Sequence, residues 1–278
     1  MIRWGILSTA RIAQRILVGA RLSESAQIVA VGSREYARAQ AYASENGIAR
    51  AHGSYEDLLA DDEVDAVYIP LPNSMHVPWS VQALEAGKHV LCEKPLSRDP
   101  AQVDAAFDAA ERAGRVLMEA FMWRFHPQTD ELVRLVRGGA VGELRYVRAA
   151  FGFGGIHPDN VRLQTGLEGG ALMDVGCYCV SALRLLCGEP TRVSGEQIAG
   201  GDGGVDIRFV RRGDGGDVLL VGGRDRDERL ARSCAEVAVD EQPVLGLEAE
   251  DRPRLGGGCV FEEAHVRRPW SWSQSIVT

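Results

Sequence analysis

Lysine is almost missing from this 278-residue chain: of its 31 basic residues, only Lys88 and Lys94 are not arginine. Arginine is planar, bulky and permanently charged, so it substitutes badly where a compact ammonium is needed. The two lysines retained against this preference are therefore candidates for positions that require an amine. Other absences exclude whole classes of function. None of the six cysteines (Cys92, Cys177, Cys179, Cys187, Cys234 and Cys259) forms a C-x-x-C pair, and no metal-ligand spacing occurs, so neither a redox dithiol nor a metal centre is indicated. Reduced thiols in a cytoplasmic protein are the expectation. There is no G-x-S-x-G elbow and no P-loop. No unbroken apolar run approaches the ~20 residues of a membrane span. The short apolar stretch at the N-terminus is interrupted by Ser8, Thr9 and Arg11 before it reaches signal-peptide length. Positive charge is in deficit: the formal net charge is −8, which argues against nucleic acid or an anionic membrane as the main partner.

What is present is an ordinary globular composition, 45% hydrophobic and 25% charged, over a length that suits one large domain or two ordinary ones. Residues 2–7 read as a strand, 10–21 as a helix with Ile12, Ile16, Leu17 and Ala20 at helical spacing, and 26–33 as a second strand. A helix ending at Gly47, a short helix capped by Ser54 and a buried strand over 65–72 follow. Pro78 opens a helix closed by Gly87, 88–95 is a strand, Asp99 and Pro100 start the helix that ends at Gly114, and 115–122 is another strand. This alternation predicts a doubly wound α/β domain over residues 1–120, its parallel sheet covered on both faces. Ligands in such sheets bind beyond the carboxyl ends of the strands. Residues 121–278 follow a different rhythm. One helix and a Gly-rich turn precede a strand in "ELRYVRAAFGFG", and a helix spans 175–187 with Asp174 as N-cap and Gly188 as C-cap.

Chemistry-bearing residues gather at the predicted strand ends. After the second strand stand Ser33 and Arg34, with Arg38 one turn later and no acid at the tip. Hydroxyl plus guanidinium suits a 2′-phosphate, so NADP is favoured over NAD; the alternative is a solvated helix start. "LPNSMH" puts Asn73 and His76 in a loop, either touching a nicotinamide ribose or making a plain turn. "CEKP" ends a strand with Lys94 at the binding edge, where an ammonium can hydrogen-bond a substrate hydroxyl and lower a neighbouring acid's pKa; an edge lysine in water is the plain alternative. "FMWRFHPQ" places Trp123, Arg124 and His126 to line a sugar-sized pocket or to plug a domain junction. Asp174 and Tyr178 are four apart, on one helix face, and a tyrosine is a proton-transfer group when an ammonium stabilises its phenolate; a capping Asp and a core Tyr are the plain alternatives.

The segments "AVYIPLPNSMH", "AGKHVLCEKPL", "EAFMWRFHPQ" and "GGALMDVGCYCVSALRLLCGEP" together resemble the glucose–fructose oxidoreductase / inositol dehydrogenase / MocA family over residues 2–208. The likeness is greatest to its NADP-linked aldose (xylose-type) and trans-dihydrodiol dehydrogenases. The resemblance implies an N-terminal Rossmann domain and a C-terminal α/β domain with an open, mostly antiparallel sheet that commonly forms a dimer interface. It implies hydride transfer between a sugar-like alcohol, an aldose or dihydrodiol, and NADP. Carried onto this sequence, Lys94 and Tyr178 are the catalytic pair, Asp174 contacts substrate, and Leu71, Asn73, His76 and Glu93 join Ser33, Arg34 and Arg38 around the cofactor. The dinucleotide fingerprint falls on Ser8, Thr9, Ala10, Arg11, Ile12 and Ala13, with all three glycines replaced by small residues. The expectation is that Ser8 keeps the turn at negative φ, that Ser8 or Thr9 caps the helix or bonds phosphate, and that the amides of residues 10–12 hold the pyrophosphate.

The tail departs from this pattern. After "VDIRF" (205–209) the long strands of the family are not evident; "DVLLVGG" and "AEVAVD" are short and "VFEEAHV" is isolated. From about residue 210 the composition is that of an arginine-rich coding sequence read in a shifted frame, the alternative being a genuinely divergent, loop-rich ending, and an incomplete second domain is the expectation for 210–278. Two other readings therefore stand beside the enzyme: a non-catalytic NADP-binding regulator on the same fold, and an inactive truncated family member. The set of Lys94, Asp174 and Tyr178 favours the enzyme, since a sensor needs no proton-transfer group.

Overall fold

The computed structural model describes residues 1–153, 157, 159–190 and 193, and the backbone of 194–199, 205–213 and 216–222. The chain forms two compact units. The first holds Met1–Gly138 and Val161–Gly169; the second holds Gly139–Asn160 and the described residues from Gly170 onward.

In the first unit β1 (Ile2–Leu7), β2 (Ala26–Gly32), β3 (Arg50–His52), β4 (Ala66–Ile69), β5 (His89–Cys92) and β6 (Leu117–Glu119) form one parallel sheet in the order β3-β2-β1-β4-β5-β6. Six helices accompany them: α1 (Ala13–Leu22), α2 (Tyr36–Asn46), α3 (Tyr55–Leu59), α4 (His76–Glu85), α5 (Pro100–Ala113) and α6 (Pro127–Arg137). Successive strand residues point to opposite faces, and both faces are covered. Ile6, Val31 and Tyr68 pack with Ala13, Leu17 and Ala43 of α1 and α2. Leu7, Ala30, Val67 and Ile69 pack with Leu58, Leu84, Ala106 and Ala109 of α3, α4 and α5. Burial on both sides is why these strands read as unbroken apolar runs.

The local signals act as expected. Ser54 Oγ accepts the Asp57 N–H at 2.9 Å, and the Asp99 carboxylate accepts the Ala101 N–H at 3.0 Å. Gly47 and Gly114 end their helices at φ 68° and 60°, where a side chain would be strained. Two details differ. The helix read as opening at Pro78 begins at His76; proline still falls in the first turn, where its missing N–H would have no helical partner. And β3, only three residues long, carries no periodicity to announce it.

Lys88, one of the two lysines, is a structural residue. Its ammonium is buried and donates to the carbonyls of Asp61 and Val64, both at 2.8 Å, tying the turn after α3 to the start of β5. Burial pushes its pKa down, and nearby carboxylates oppose that. A guanidinium is too broad for this niche. Lys88→Met, which fills the space and orphans both carbonyls, is expected to cost about 1.5–3 kcal/mol; urea unfolding at neutral pH measures it.

The second unit contains β7 (Val147–Phe151), α7 (Cys177–Cys187), β8 (Ser194–Ala199), β9 (Val205–Gly213) and β10 (Gly216–Gly222). The sheet order is β7-β10-β9-β8; β10 runs parallel to β7, and the other pairs are antiparallel, giving the open, mostly antiparallel sheet the resemblance implied. Strand structure continues past residue 210: β9 runs to Gly213, and "DVLLVG" lies in β10, registered against β9 and β7. Arg211 and Arg212 break the alternation that would have revealed β9's full length. The segments "AEVAVD" and "VFEEAHV", with Cys234 and Cys259, lie outside the described residues. Cys179 of α7 and Ala149 of β7 center a small core with Phe151, Leu172, Val180 and Leu183, and Gly188 ends α7 at φ 76°. Residues Thr165–Cys187 are apolar enough in composition and number to cross a membrane, but Glu168 and Gly170, at φ 57° and 128°, interrupt the helix, so the continuous helical part is Leu172–Cys187. No unbroken apolar stretch marks Thr165–Cys187, because Glu168, Asp174 and Arg184 interrupt it.

Candidate active site

The strand order reverses between β1 and β4, which opens a crevice beyond their carboxyl ends. The turn after β1 lies there, and it differs from expectation. Ser8 sits at φ 141°, a conformation suited to glycine that costs another residue about 1–3 kcal/mol. Two hydrogen bonds hold it: Ser8 Oγ accepts the Ala10 N–H at 3.1 Å and donates to the Pro70 carbonyl at 3.4 Å, across the crevice. Serine therefore occupies the fingerprint's first glycine position in a glycine-like geometry. Neither Ser8 nor Thr9 caps α1; Ile12 stands at the N-cap without a side-chain bond. Because Ser8 consumes the Ala10 amide, the amides without a partner among the described residues are those of Thr9, Arg11 and Ile12. They leave this turn able to receive an anion.

At the end of β2 the Ser33 hydroxyl accepts the Glu35 N–H at 3.4 Å, and the Ser33 N–H donates to the His52 carbonyl at 3.1 Å. Arg34 and Arg38 are exposed, and among the described residues neither has an ion-pair partner. They share one flank. Burial raises the pKa of Tyr55, and the charges of both arginines pull it back. Two uncompensated guanidiniums beside a buried serine suit a phosphate monoester.

After β4, Leu71 is buried and Asn73 starts a short helical turn whose side-chain amide donates to the Glu168 carbonyl at 2.8 Å. The Glu168 carboxylate meets Arg98 at 3.1 Å. The segment Val161–Gly169, distant in sequence, is thus strapped to the loops after β4 and β5, which no local pattern announced. His76 does not stand in an open loop. Its ring is buried, with Nδ1 2.7 Å from the Pro95 carbonyl and Nε2 2.8 Å from the Leu71 carbonyl. Burial lowers its pKa, against the pull of those two carbonyls. With one N–H to donate and both ring nitrogens against backbone carbonyls, the buried His76 ring bridges the two loops instead of facing an open crevice.

The loop after β5 carries Glu93 and Lys94, followed by a cis peptide to Pro95. Glu93 accepts the Tyr68 hydroxyl at 2.6 Å and the Lys94 N–H at 3.3 Å. Glu119, the last residue of β6, has no counterpart among the expected site residues. Burial raises its pKa; the Leu96 N–H and the charges of Lys94 and Arg124 oppose this, and Glu93 adds to it. An acid ending a strand of a parallel sheet was the available signal. Next in the chain, Trp123 has its indole N–H buried with no partner among the described residues, and the Arg124 guanidinium lies 5.6 Å from its ring. His126 caps α6 by accepting the Gln128 N–H on Nδ1 at 3.1 Å. The first unit therefore brings the fingerprint turn, Asn73, Glu93, Lys94 and Trp123 to the carboxyl edge of one sheet.

In the second unit Tyr178 is half-buried, its ring edge-on to Phe151 at 5.5 Å. Asp174 is not an N-cap. Residues Leu172–Gly176 form a π-helical turn continuous with α7, so Asp174 lies inside that turn and its N–H donates to the Gly170 carbonyl at 3.0 Å. Such bulges recur at functional sites. Among the described residues no three His, Cys, Asp or Glu side chains gather as a metal site.

Comparison with known proteins agrees with this architecture. Residues 2–121 match the family described as "Oxidoreductase family, NAD-binding Rossmann fold", and 129–231 match its C-terminal domain. The chain is 47% identical over 207 residues to a D-xylose 1-dehydrogenase (NADP(+)) of Haloferax volcanii, covering 74% of this chain and 63% of that one. It is 35% identical over 268 residues to a dTDP-3,4-didehydro-2,6-dideoxy-alpha-D-glucose 3-reductase of Streptomyces violaceoruber, covering 90% and 78%. The likeness thus extends beyond residue 208. The crystal structure of a 3-ketoreductase from Actinomadura kijaniata, with TDP-benzene and NADP, superposes with a TM-score of 0.72 at 33% identity over 81% of this chain and 70% of that one. The chain spans less than two thirds of the length of the Haloferax enzyme. The six-stranded sheet in 3-2-1-4-5-6 order, the Lys94 loop at its edge and these matches show that the chain belongs to the NAD-binding Rossmann-fold oxidoreductase family of glucose–fructose oxidoreductase, inositol dehydrogenase and MocA.

Proposed function

We propose that the chain is an NADP-dependent oxidoreductase that moves a hydride between a CH–OH carbon of a sugar-like substrate and nicotinamide, with Tyr178 as acid/base and Lys94 assisting. The observation that carries it is the place of Lys94, in the loop directly after β5 at the carboxyl edge of the sheet, where ligands of such folds bind. A 3-ketoreductase relative was solved with its lysine changed to Ala or Glu and its tyrosine changed to Phe, residues as far apart in sequence as Lys94 and Tyr178. That supports the pair.

The residues present fit NADP. The amides of Thr9, Arg11 and Ile12 suit the pyrophosphate, and Arg34 and Arg38, without acid partners, suit the 2′-phosphate. Bound NADP supplies the acceptor for the hydride. Tyr178 takes the proton of the substrate hydroxyl as the carbon is oxidised, and Lys94 hydrogen-bonds the substrate oxygen and stabilises the phenolate. Asp174, Trp123, Arg124 and His126 orient the substrate. Residues 1–120 serve the cofactor and 121–278 the substrate, in a homo-oligomer as family members commonly form. The test is a panel of aldoses with NADP+ and NAD+, followed by the absorbance of the reduced cofactor. Turnover with at least one sugar and NADP+ is expected. Cofactor-induced thermal stabilisation without turnover of any sugar would replace the enzyme by the regulator.

A further inference from the structure

We propose that Glu119 is a positioning residue for Lys94: its carboxylate, at the end of β6, holds the loop that presents the ammonium. Glu119 pairs with Cys92 in the β5–β6 ladder, so it stands beside the point where the Lys94 loop departs. From there its carboxylate accepts the Leu96 N–H at 2.6 Å, a short charge-assisted bond. The Leu96 side chain is itself fixed in the core, so the loop is pinned just beyond the cis peptide. On the near side Glu93, held by the Tyr68 hydroxyl, accepts the Lys94 N–H. Lys94 is thereby clamped from both flanks by carboxylates on two different strand ends.

Chemistry favours a role beyond packing. Taking a carboxylate out of water is costly and needs compensation. Here a single backbone N–H is joined by the positive charges of Lys94 and Arg124, both close enough to act on Glu119. An apolar residue at this strand end would avoid that cost, and it would leave the Leu96 amide and the Lys94 loop unheld.

The inference rests on the reading of Lys94 as a catalytic residue, and its test separates the two. With only two lysines, protein labelled with 13C-lysine gives two side-chain signals, and Lys88 serves as an internal control. Glu119→Ala, and Glu119→Asp, whose carboxylate is one methylene short of Leu96, are expected to move the Lys94 signal and leave that of Lys88 in place. Glu119→Gln keeps an oxygen to accept the Leu96 N–H and is expected to restore the Lys94 signal. In turnover with NADP+, Ala and Asp are expected to lower kcat about 10- to 100-fold with the KM for NADP+ unchanged, and Gln to recover most of it. A Lys94 signal unmoved in both Ala and Asp overturns the proposal, as does equal movement of both lysine signals with a lowered Tm. A shifted Lys94 signal in a protein without oxidoreductase activity upholds the positioning and sinks only the catalytic reading.

Discussion

Lys94→Ala is expected to lower kcat by about 10²–10⁴-fold, the usual worth of a proton-transfer apparatus, while NADP binding stays within experimental range of the wild type. The cofactor contacts proposed above come from other segments, the turn after β1 and the start of α2 with Arg34 and Arg38. The loop backbone also keeps its anchors to Glu93 and Glu119. Tyr178→Phe should cost a similar factor. It removes one hydroxyl and keeps the edge-on ring contact with Phe151. Because the two groups act as a unit, the double variant should be little worse than either single one. Lys94→Arg should not rescue, since a guanidinium keeps the charge and loses the compact geometry. Steady-state kinetics with the best sugar of the panel, with cofactor binding followed by fluorescence, checks these points. Unchanged kcat in either single variant removes that residue from the mechanism.

Much of the first unit was legible because its signals are local and redundant. Apolar runs bounded by Ser54, Asp99, Gly47 and Gly114 define elements whether or not the rest of the chain is known. The scarcity of lysine points to two positions that need an amine, and Lys88 is one, held by two backbone carbonyls. What escaped notice depends on partners far away in sequence or on backbone angles. His76 reads as a loop histidine at the binding edge until the Pro95 carbonyl, 19 residues on, is placed against it. Ser8 reads as a tolerant substitute for glycine; its φ of 141° shows that the geometry was kept and the residue changed. Asp174 looked like an N-cap because capping rules assume that the helix begins α-helical, and here it begins with a π turn. Glu119 lies inside the strand read over 115–122 and carries no local signal, because its partner is the Leu96 N–H of the loop after β5, 23 residues back.

Removing the arginines after β2 should change which cofactor the chain prefers. The double variant Arg34→Ala/Arg38→Ala is expected to weaken NADP by about 10- to 100-fold, since bonds from a charged group to a phosphate contribute about 1.5–3 kcal/mol. NAD has no 2′-phosphate, so its affinity should hardly move, and the preference should fall by nearly the whole factor. Both guanidiniums are exposed, so part of their effect is screened, and the wild-type preference for NADP should itself shrink as salt rises past the Debye regime of about 10 Å at 0.1 M. The double variant should lose that salt dependence. Arg34→Asp should go further, placing an acid where NAD-binding members of such folds carry one, and repelling the phosphate outright. Folding is not at stake: neither arginine has an ion pair to lose among the described residues, and relieving two like charges beside the Tyr55 hydroxyl leaves its packing against Trp79 intact. Titrating both cofactors at two salt concentrations decides the matter. Equal losses for NADP and NAD would mean that the arginines shape the site without reading the phosphate, and no loss for either would place the 2′-phosphate elsewhere.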